Sequence, residues 1–212
     1  KVFGGEVLLW NARTGALVRT LGRHDASVRF VAFSRDGKTL VSASGENGQI
    51  AVWDMRTGRA IETFDMDAEL ATAAGVVTPL VAISDDGRTL AVVEKRVIKA
   101  GRSNITLGGD LVVFDVRTGR RKWVKSESGL TRLTFAPVGR PFVGDGKRIS
   151  QIEPRDDGSV RFRQNGELVF FNVDTGEVER TIDPGRGSAR GLAFLADGDV
   201  LARFSYTGLK FI

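Results

Sequence analysis

Few residues in this chain have types and spacings that could do chemistry. His24 stands beside Asp25, a pairing suited to general-base or metal work, but the 212 residues hold one His and no Cys. Nothing completes a zinc set around it. Asp145-Gly146 and Asp156-Asp157-Gly158 lack the regular carboxylate spacing of a calcium loop and read as turns. Gly185-Arg186-Gly187-Ser188-Ala189-Arg190-Gly191 is rich in backbone amides for a phosphate, yet it precedes a strand pattern and matches neither nucleotide fingerprint. It is read as a connection. Asn104-Ile105-Thr106 has the spacing of an N-glycosylation acceptor, which matters only in a secreted protein.

Positive charge is the more distinctive resource. Lys95, Arg96, Lys99 and Arg102 follow one another with no acid between them, and Lys147, Arg148, Arg155, Arg161 and Arg163 outweigh Glu153, Asp156 and Asp157. With a formal net charge of +5, such a surface suits an acidic partner. Only Phe162 accompanies these cations, whereas single-stranded nucleic acid is held by several aromatic platforms. A protein or peptide, acidic in character, is therefore the expected partner, and the bland alternative is a pair of solvated, elongated hairpins. No catalytic set and no cofactor or metal site is legible, so a non-catalytic protein is expected. Zero cysteines exclude disulfides and thiolate metal sites. No apolar run is long enough for a spanning helix. The compartment stays open, with the cytoplasm the favoured expectation.

The elements that must position these residues are repeats. An aromatic followed by Asp or Asn and then Thr-Gly occurs at Trp10 to Gly15, Trp53 to Gly58, Phe114 to Gly119 and Phe171 to Gly176, starting 43, 61 and 57 residues apart. The strand before each aromatic, as in Ile50-Ala51-Val52-Trp53 and Leu111-Val112-Val113-Phe114, is apolar on both faces, because successive side chains point to opposite sides. Both faces must then be covered. A two-layer sandwich leaves one face wet and alternates; sheets stacked around an axis cover each other on both sides. Between the copies lie paired apolar strands joined by Ser34-Arg35-Asp36-Gly37 and Ser84-Asp85-Asp86-Gly87, where Asp-Gly suits a hairpin turn. Each unit is four antiparallel strands.

These residues resemble the WD-repeat family of β-propellers over nearly the whole chain. The best copy runs from Gly22-Arg23-His24-Asp25 through Val31-Ala32-Phe33-Ser34 and Asn47-Gly48 to Val52-Trp53-Asp54. In such a blade the family links a His, a Ser or Thr, an Asp and the Trp by hydrogen bonds, which the resemblance assigns to His24, Ser42, Asn47 and Trp53, with Asn in place of the family's Asp. The implied function is a non-catalytic interaction scaffold. A weaker similarity is to quinoprotein-like propellers, whose Asp-x-x-Thr-Gly is followed by a Trp; Asp115 to Trp123 fits once. The alternative it implies is a dehydrogenase propeller.

The expected fold is an all-β propeller of about three complete blades and two partial ones. Boundaries are expected at 1–21 (partial), 22–64, 65–125, 126–182 and 183–212 (partial), as in a fragment of a larger ring whose remaining blades or domains would be further partners. Turns between strands one and two and between three and four are tight throughout, which predicts a flat face. The long segments, Asp65 to Thr78, Glu94 to Gly109 and Gly144 to Gly166, all join strands two and three or neighbouring blades. They predict a basic raised rim on the other face.

Overall fold

The computed structural model describes residues 4–45, 47–65, 80–100, 103–126, 128–137, 142–154, 160–184, 189–195, 198–205 and 208–211. The strands are β1 (Gly5–Trp10), β2 (Leu17–His24), β3 (Val28–Phe33), β4 (Thr39–Ser44), β5 (Gln49–Asp54), β6 (Ala60–Asp65), β7 (Leu80–Ile83), β8 (Thr89–Ala100) and β9 (Ser103–Asp115). They continue with β10 (Arg121–Lys125), β11 (Leu130–Phe135), β12 (Phe142–Pro154), β13 (Val160–Phe171), β14 (Val178–Ile182), β15 (Ala189–Phe194), β16 (Leu201–Ser205) and β17 (Gly208–Phe211). They form five antiparallel sheets in chain order: β1–β2, β3–β6, β7–β10, β11–β14 and β15–β17. Three sheets have four strands, flanked by one of two and one of three. This is the all-β propeller arrangement with the expected number of blades.

Side-chain alternation shows why the strands are apolar on both faces. In the third sheet Leu90 and Val92 of β8, with Val112 and Phe114 of β9, pack on Val41, Ile50, Val52 and Phe64 of the second. The intervening Ala91, Val93, Leu111 and Val113 pack the other way, on Leu130, Phe135 and Phe171 of the fourth. One strand thus feeds two interfaces. Two more clusters join the first sheet to the second, around Val7, Leu40 and Trp53, and the fourth to the fifth, around Val143, Phe170 and Leu201.

The repeated motif makes its own turn. Asn11 Oδ1 accepts from the amides of Arg13 and Thr14 at 2.9 and 3.0 Å, Asp54 from Arg56 and Thr57 at 2.7 and 2.8 Å, and Asn172 from Asp174 and Thr175 at 2.9 and 3.0 Å. Asp115 takes both the amide and the hydroxyl of Thr118. Gly58, at φ 73°, then turns the chain in the left-handed region that glycine reaches without a Cβ penalty. A carboxylate or carboxamide followed by Thr-Gly is selected here as a turn closure.

The long segments within the third and fourth sheets are strand rather than loop. Beyond the blade, β8 and β9 stay paired from Lys95↔Gly108 to Ala100↔Ser103. Similarly, β12 and β13 stay paired from Lys147↔Gly166 to Pro154↔Val160, so Arg148 to Glu153 belongs to one long extended hairpin. In a four-stranded antiparallel sheet the turn between strands two and three lies at the end opposite the other two turns. Both extensions therefore rise from the end opposite the Asp-Gly turns. The Asp65 to Thr78 connection, after its first residue, lies outside the described residues.

Candidate functional site

Three groups of polar side chains are candidates. The innermost centres on Ser42. Its Oγ accepts from Trp53 Nε1–H at 2.8 Å and lies 2.7 Å from His24 Nε2, all three groups being buried. Space for the indole comes from Gly22, where a Cβ would stand 2.5 Å from Trp53 Cη2. His24 ends β2, paired with Gly5, so the first sheet's last strand runs into the second sheet's hydrogen-bond cluster. Asn47 lies beside it without joining it: its Oδ1 accepts from Ser44 Oγ and from the Gln49 amide.

Gln49, absent from the sequence reading, is the side chain that approaches His24 from the other side. His24 Nδ1 and Gln49 Oε1 are both buried and neither attains hydrogen-bond geometry. Burial lowers the histidine pKa, while the Gln49 carboxamide and the charge of Asp25 oppose that shift without reversing it. The ring is therefore neutral near pH 7, with Nε2 as the acceptor from Ser42 O–H and Nδ1–H turned to Gln49. A neutral, desolvated ring tied to an indole and a hydroxyl holds two sheets together.

Asp145 and Arg203 form a second group that the sequence reading did not anticipate; there, Asp145-Gly146 is read as a turn. Asp145 instead lies within β12, and its Oδ2 stands 3.0 Å from Arg203 Nε of β16, with both side chains almost wholly buried. By strand register Arg203 occupies in the fifth sheet the place that Ser42 holds in the second. Two separated members of one sequence, an Asp and an Arg 58 residues apart, gave no local signal of this pairing.

The tight-turn end is not flat. Turns of neighbouring blades enclose a hollow of about 640 Å³, lined among others by Arg35, Asp36, Asp85, Asp86, Asp115 and Lys122. Its charges are committed locally. Arg35 meets Asp85 at 3.5 Å, Arg88 meets Asp86 at 3.9 Å and Lys122 meets Asp174 at 2.5 Å. Bonds from the Lys38 amide and Ser34 hold the Asp36 carboxyl below its ordinary range, and the Thr118 hydroxyl and amide do the same for Asp115. Among the described residues no group of three or more His, Cys, Asp or Glu is placed to hold a metal.

The sequence-selected cations fall on the long hairpins. Lys95, Arg96 and Lys99 lie on β8, Lys147 and Arg148 on β12, and Arg161 and Arg163 on β13. Arg102 and Arg155 lie outside the described residues.

Trp123 links one repeat to the next. Its indole N–H donates to Val173 O at 3.0 Å, and a Cβ on Gly176, in the next copy of the motif, would stand 2.6 Å from its ring. At the same offset in earlier repeats, Arg19 covers Gly58 and Glu62 covers Gly119. The docking position is shared; only its third occupant is Trp.

Radial four-stranded sheets, covered on both faces and docked by this offset, define a β-propeller. The chain belongs to the family described as outer membrane protein assembly factor BamB, whose model matches residues 4–208. Its curated relatives include WD-repeat proteins. One similar protein is COMPASS component SWD3 of Saccharomyces cerevisiae, 24% identical over 181 residues, which are 84% of this chain and 51% of that protein. Retinoblastoma-binding-like protein E of Dictyostelium discoideum is 32% identical over 31% of this chain and 12% of its own. The U3 small nucleolar RNA-associated protein 18 homolog of Arabidopsis thaliana is 46% identical over 27% of this chain and 10% of its own. The match thus spans about half of the first of these relatives and far less of the other two. Among solved structures, Kuenenia stuttgartiensis hydrazine synthase superposes with TM-score 0.65 at 17% identity, over 95% of this chain and 56% of that one. That likeness shows the fold alone.

No helix among the described residues is long and apolar enough to cross a membrane.

Proposed function

We propose that this protein is a non-catalytic interaction scaffold, in which stacked blades hold a docking surface for another protein. The carrying observation is where the reactive residue types are used. Asp54 and Asp115 close their own turns, and His24 is sealed against Ser42 between two sheets. Asp145 is spent on Arg203. Such uses hold architecture together and leave recognition to exposed edges and loops. The WD-repeat character of the curated relatives supports the same reading.

The two long hairpins are the docking surface in this reading, because they project beyond the blades at one end and carry most of the sequence-selected cations. The partner is a protein or peptide of acidic character. Replacing Lys95, Arg96, Lys99 and Arg102 together by Ser should weaken capture of a purified natural partner by the intact protein and leave its melting temperature nearly unchanged. Unaltered capture removes the hairpin from the interface. The match to a quinoprotein-like architecture is tested separately: quinone-dependent substrate oxidation by the intact protein would replace the scaffold reading with a dehydrogenase.

A further inference from the structure

The hollow at the tight-turn end carries more negative than positive charge, although the chain as a whole is basic, at a formal net +5. Six carboxylates line it against three cations, Arg35, Arg88 and Lys122. Those cations already meet Asp85, Asp86 and Asp174 in turn, and Lys38 reaches Asp36 at 3.4 Å from outside the lining. Asp115 and Glu179 then have no ion-pair partner among the described residues. Asp115 is bonded within its own turn by Thr118, and Glu179 accepts from Asn172 Nδ2 at 3.0 Å. Neither bond cancels a charge.

Thr89 adds an observation that does not depend on charge. Ala91 and Val93 of β8 pack toward the fourth sheet, and alternate residues of a strand share a face, so Thr89 faces the fourth sheet from within the lining of the hollow. Its residue is 7% exposed. The amide donates to Ser84 Oγ at 2.9 Å, but the side-chain hydroxyl has no hydrogen-bond partner among the described residues. A hydroxyl so nearly buried is costly to leave unsatisfied. Its cross-strand neighbour is Asp115. From the fourth sheet and its turn, the buried Phe135 and Ala136 and the half-buried Val173 complete an apolar floor beneath the acidic rim.

At about 640 Å³, the hollow falls within the range of about 300–1,000 Å³ usual for ligand sites. A ligand suited to it has a cationic head for Asp115 and Glu179, a donor for the Thr89 oxygen and an apolar stem for Phe135 and Val173. Arginine and lysine side chains have that form, since their methylenes cover apolar surface while the charged head stays with polar groups. A surplus of one charge in a walled hollow also concentrates the opposite charge there. We infer that the hollow binds an arginine or lysine side chain presented by a basic peptide segment, with Asp115 and Glu179 as counter-charges and Thr89 as hydrogen-bond acceptor. A bare metal ion is not the fit, because among the described residues no three acidic or histidine side chains converge on one point. The site lies at the end opposite the two hairpins and takes a partner of opposite charge. It therefore goes beyond the scaffold reading and does not depend on the hairpins.

The test is fluorescence anisotropy of a labelled ten-residue peptide of alternating Arg and Gly, titrated with the full chain at low salt. Wild type should bind although protein and peptide are both cationic overall, and more weakly as salt is raised. Asp115→Asn/Glu179→Gln should lose about ten-fold or more in affinity. The turn survives this change, because Asn11 and Asn172 close the same turn in their own repeats. Thr89→Val should lose about five-fold with its melting temperature unchanged, since the hydroxyl it removes has no partner in the free protein. Glu6→Gln/Asp65→Asn makes the same change in charge at the start of β1 and the end of β6, away from the hollow, and should stay within about two-fold. Absence of wild-type binding, an equal loss in that control, or a Thr89→Val protein that binds as tightly as wild type overturns the site. So does displacement of the peptide by an unlabelled poly-glutamate of the same length at low salt while the Asp115→Asn/Glu179→Gln protein binds as wild type.

Discussion

The interface between the first and second sheets and that between the fourth and fifth use one backbone position in two chemistries. At that position, in the second strand of the blade, Ser42 joins a neutral chain from Trp53 to His24, while Arg203 meets the carboxylate of Asp145. The neutral chain loses little if one hydrogen bond is imperfect, because each group carries only a dipole. The ion pair is less forgiving. Two charges removed from water are tolerated only together. A propeller interface therefore specifies a position to be filled and leaves the chemistry of filling it open.

Cutting one side of the ion pair should show the largest effect. Asp145→Ala should cost about 3–5 kcal/mol by removing the carboxylate that lies 3.0 Å from the buried Arg203 guanidinium. The double change Asp145→Leu/Arg203→Met should recover most of that loss in urea unfolding; failure to recover would mean that the pair contributes through geometry its apolar replacement lacks. Trp53→Ala should cost about as much, 3–5 kcal/mol, through the cavity left between two sheets. A loss below about 1 kcal/mol would show that the indole is not core.

Ser42→Ala is the neutral counterpart of the first cut. It leaves Trp53 Nε1–H and His24 Nε2 without their partner, so about 1–3 kcal/mol should be lost. A cost equal to that of Asp145→Ala would erase the contrast between the two interfaces. Acid should separate them further. Because burial lowers the His24 pKa in the folded state, the unfolded chain takes up the proton first, and stability falls as pH drops below about 6.5, the ordinary histidine value. The slope is at most about 1.4 kcal/mol per pH unit for one proton. Unfolding midpoints at pH 7.5 and 5.5 should differ more in wild type than in His24→Gln.

The smallest effect is expected at Trp10. In the second, third and fourth sheets the motif aromatic packs on the preceding sheet, and Trp53 is 6% exposed where Trp10 is 58% exposed. Trp10→Ala should change stability by less than about 1 kcal/mol. The exposed Trp10, Val31 and Phe33 should instead promote self-association of this chain, which light scattering measures; Trp10→Ser should reduce it.

The blades were legible because their signals are local. Thr-Gly after Asp54 or Asp115 closes a turn within five residues, and the two-sided apolar strands declare that both faces are covered. His24, Ser42 and Trp53 meet through hydrogen bonds between residues far apart in the chain. Gln49 was not legible, because its approach to His24 depends on how two sheets meet. The pairing of Asp145 with Arg203 was invisible for the same reason. The insertions were visible as charge and length, but that they are long paired strands was recognised only from the register of β8 with β9 and of β12 with β13.

Sequence alone therefore determined strands, turns and the repetition that stacks them, since each is decided by alternation and hydrogen bonds among near neighbours. Tertiary structure decided which aromatic is covered and which polar group finds a partner. Those outcomes depend on the sheet next door, and nothing in a strand's own residues specifies what its neighbour will place against it.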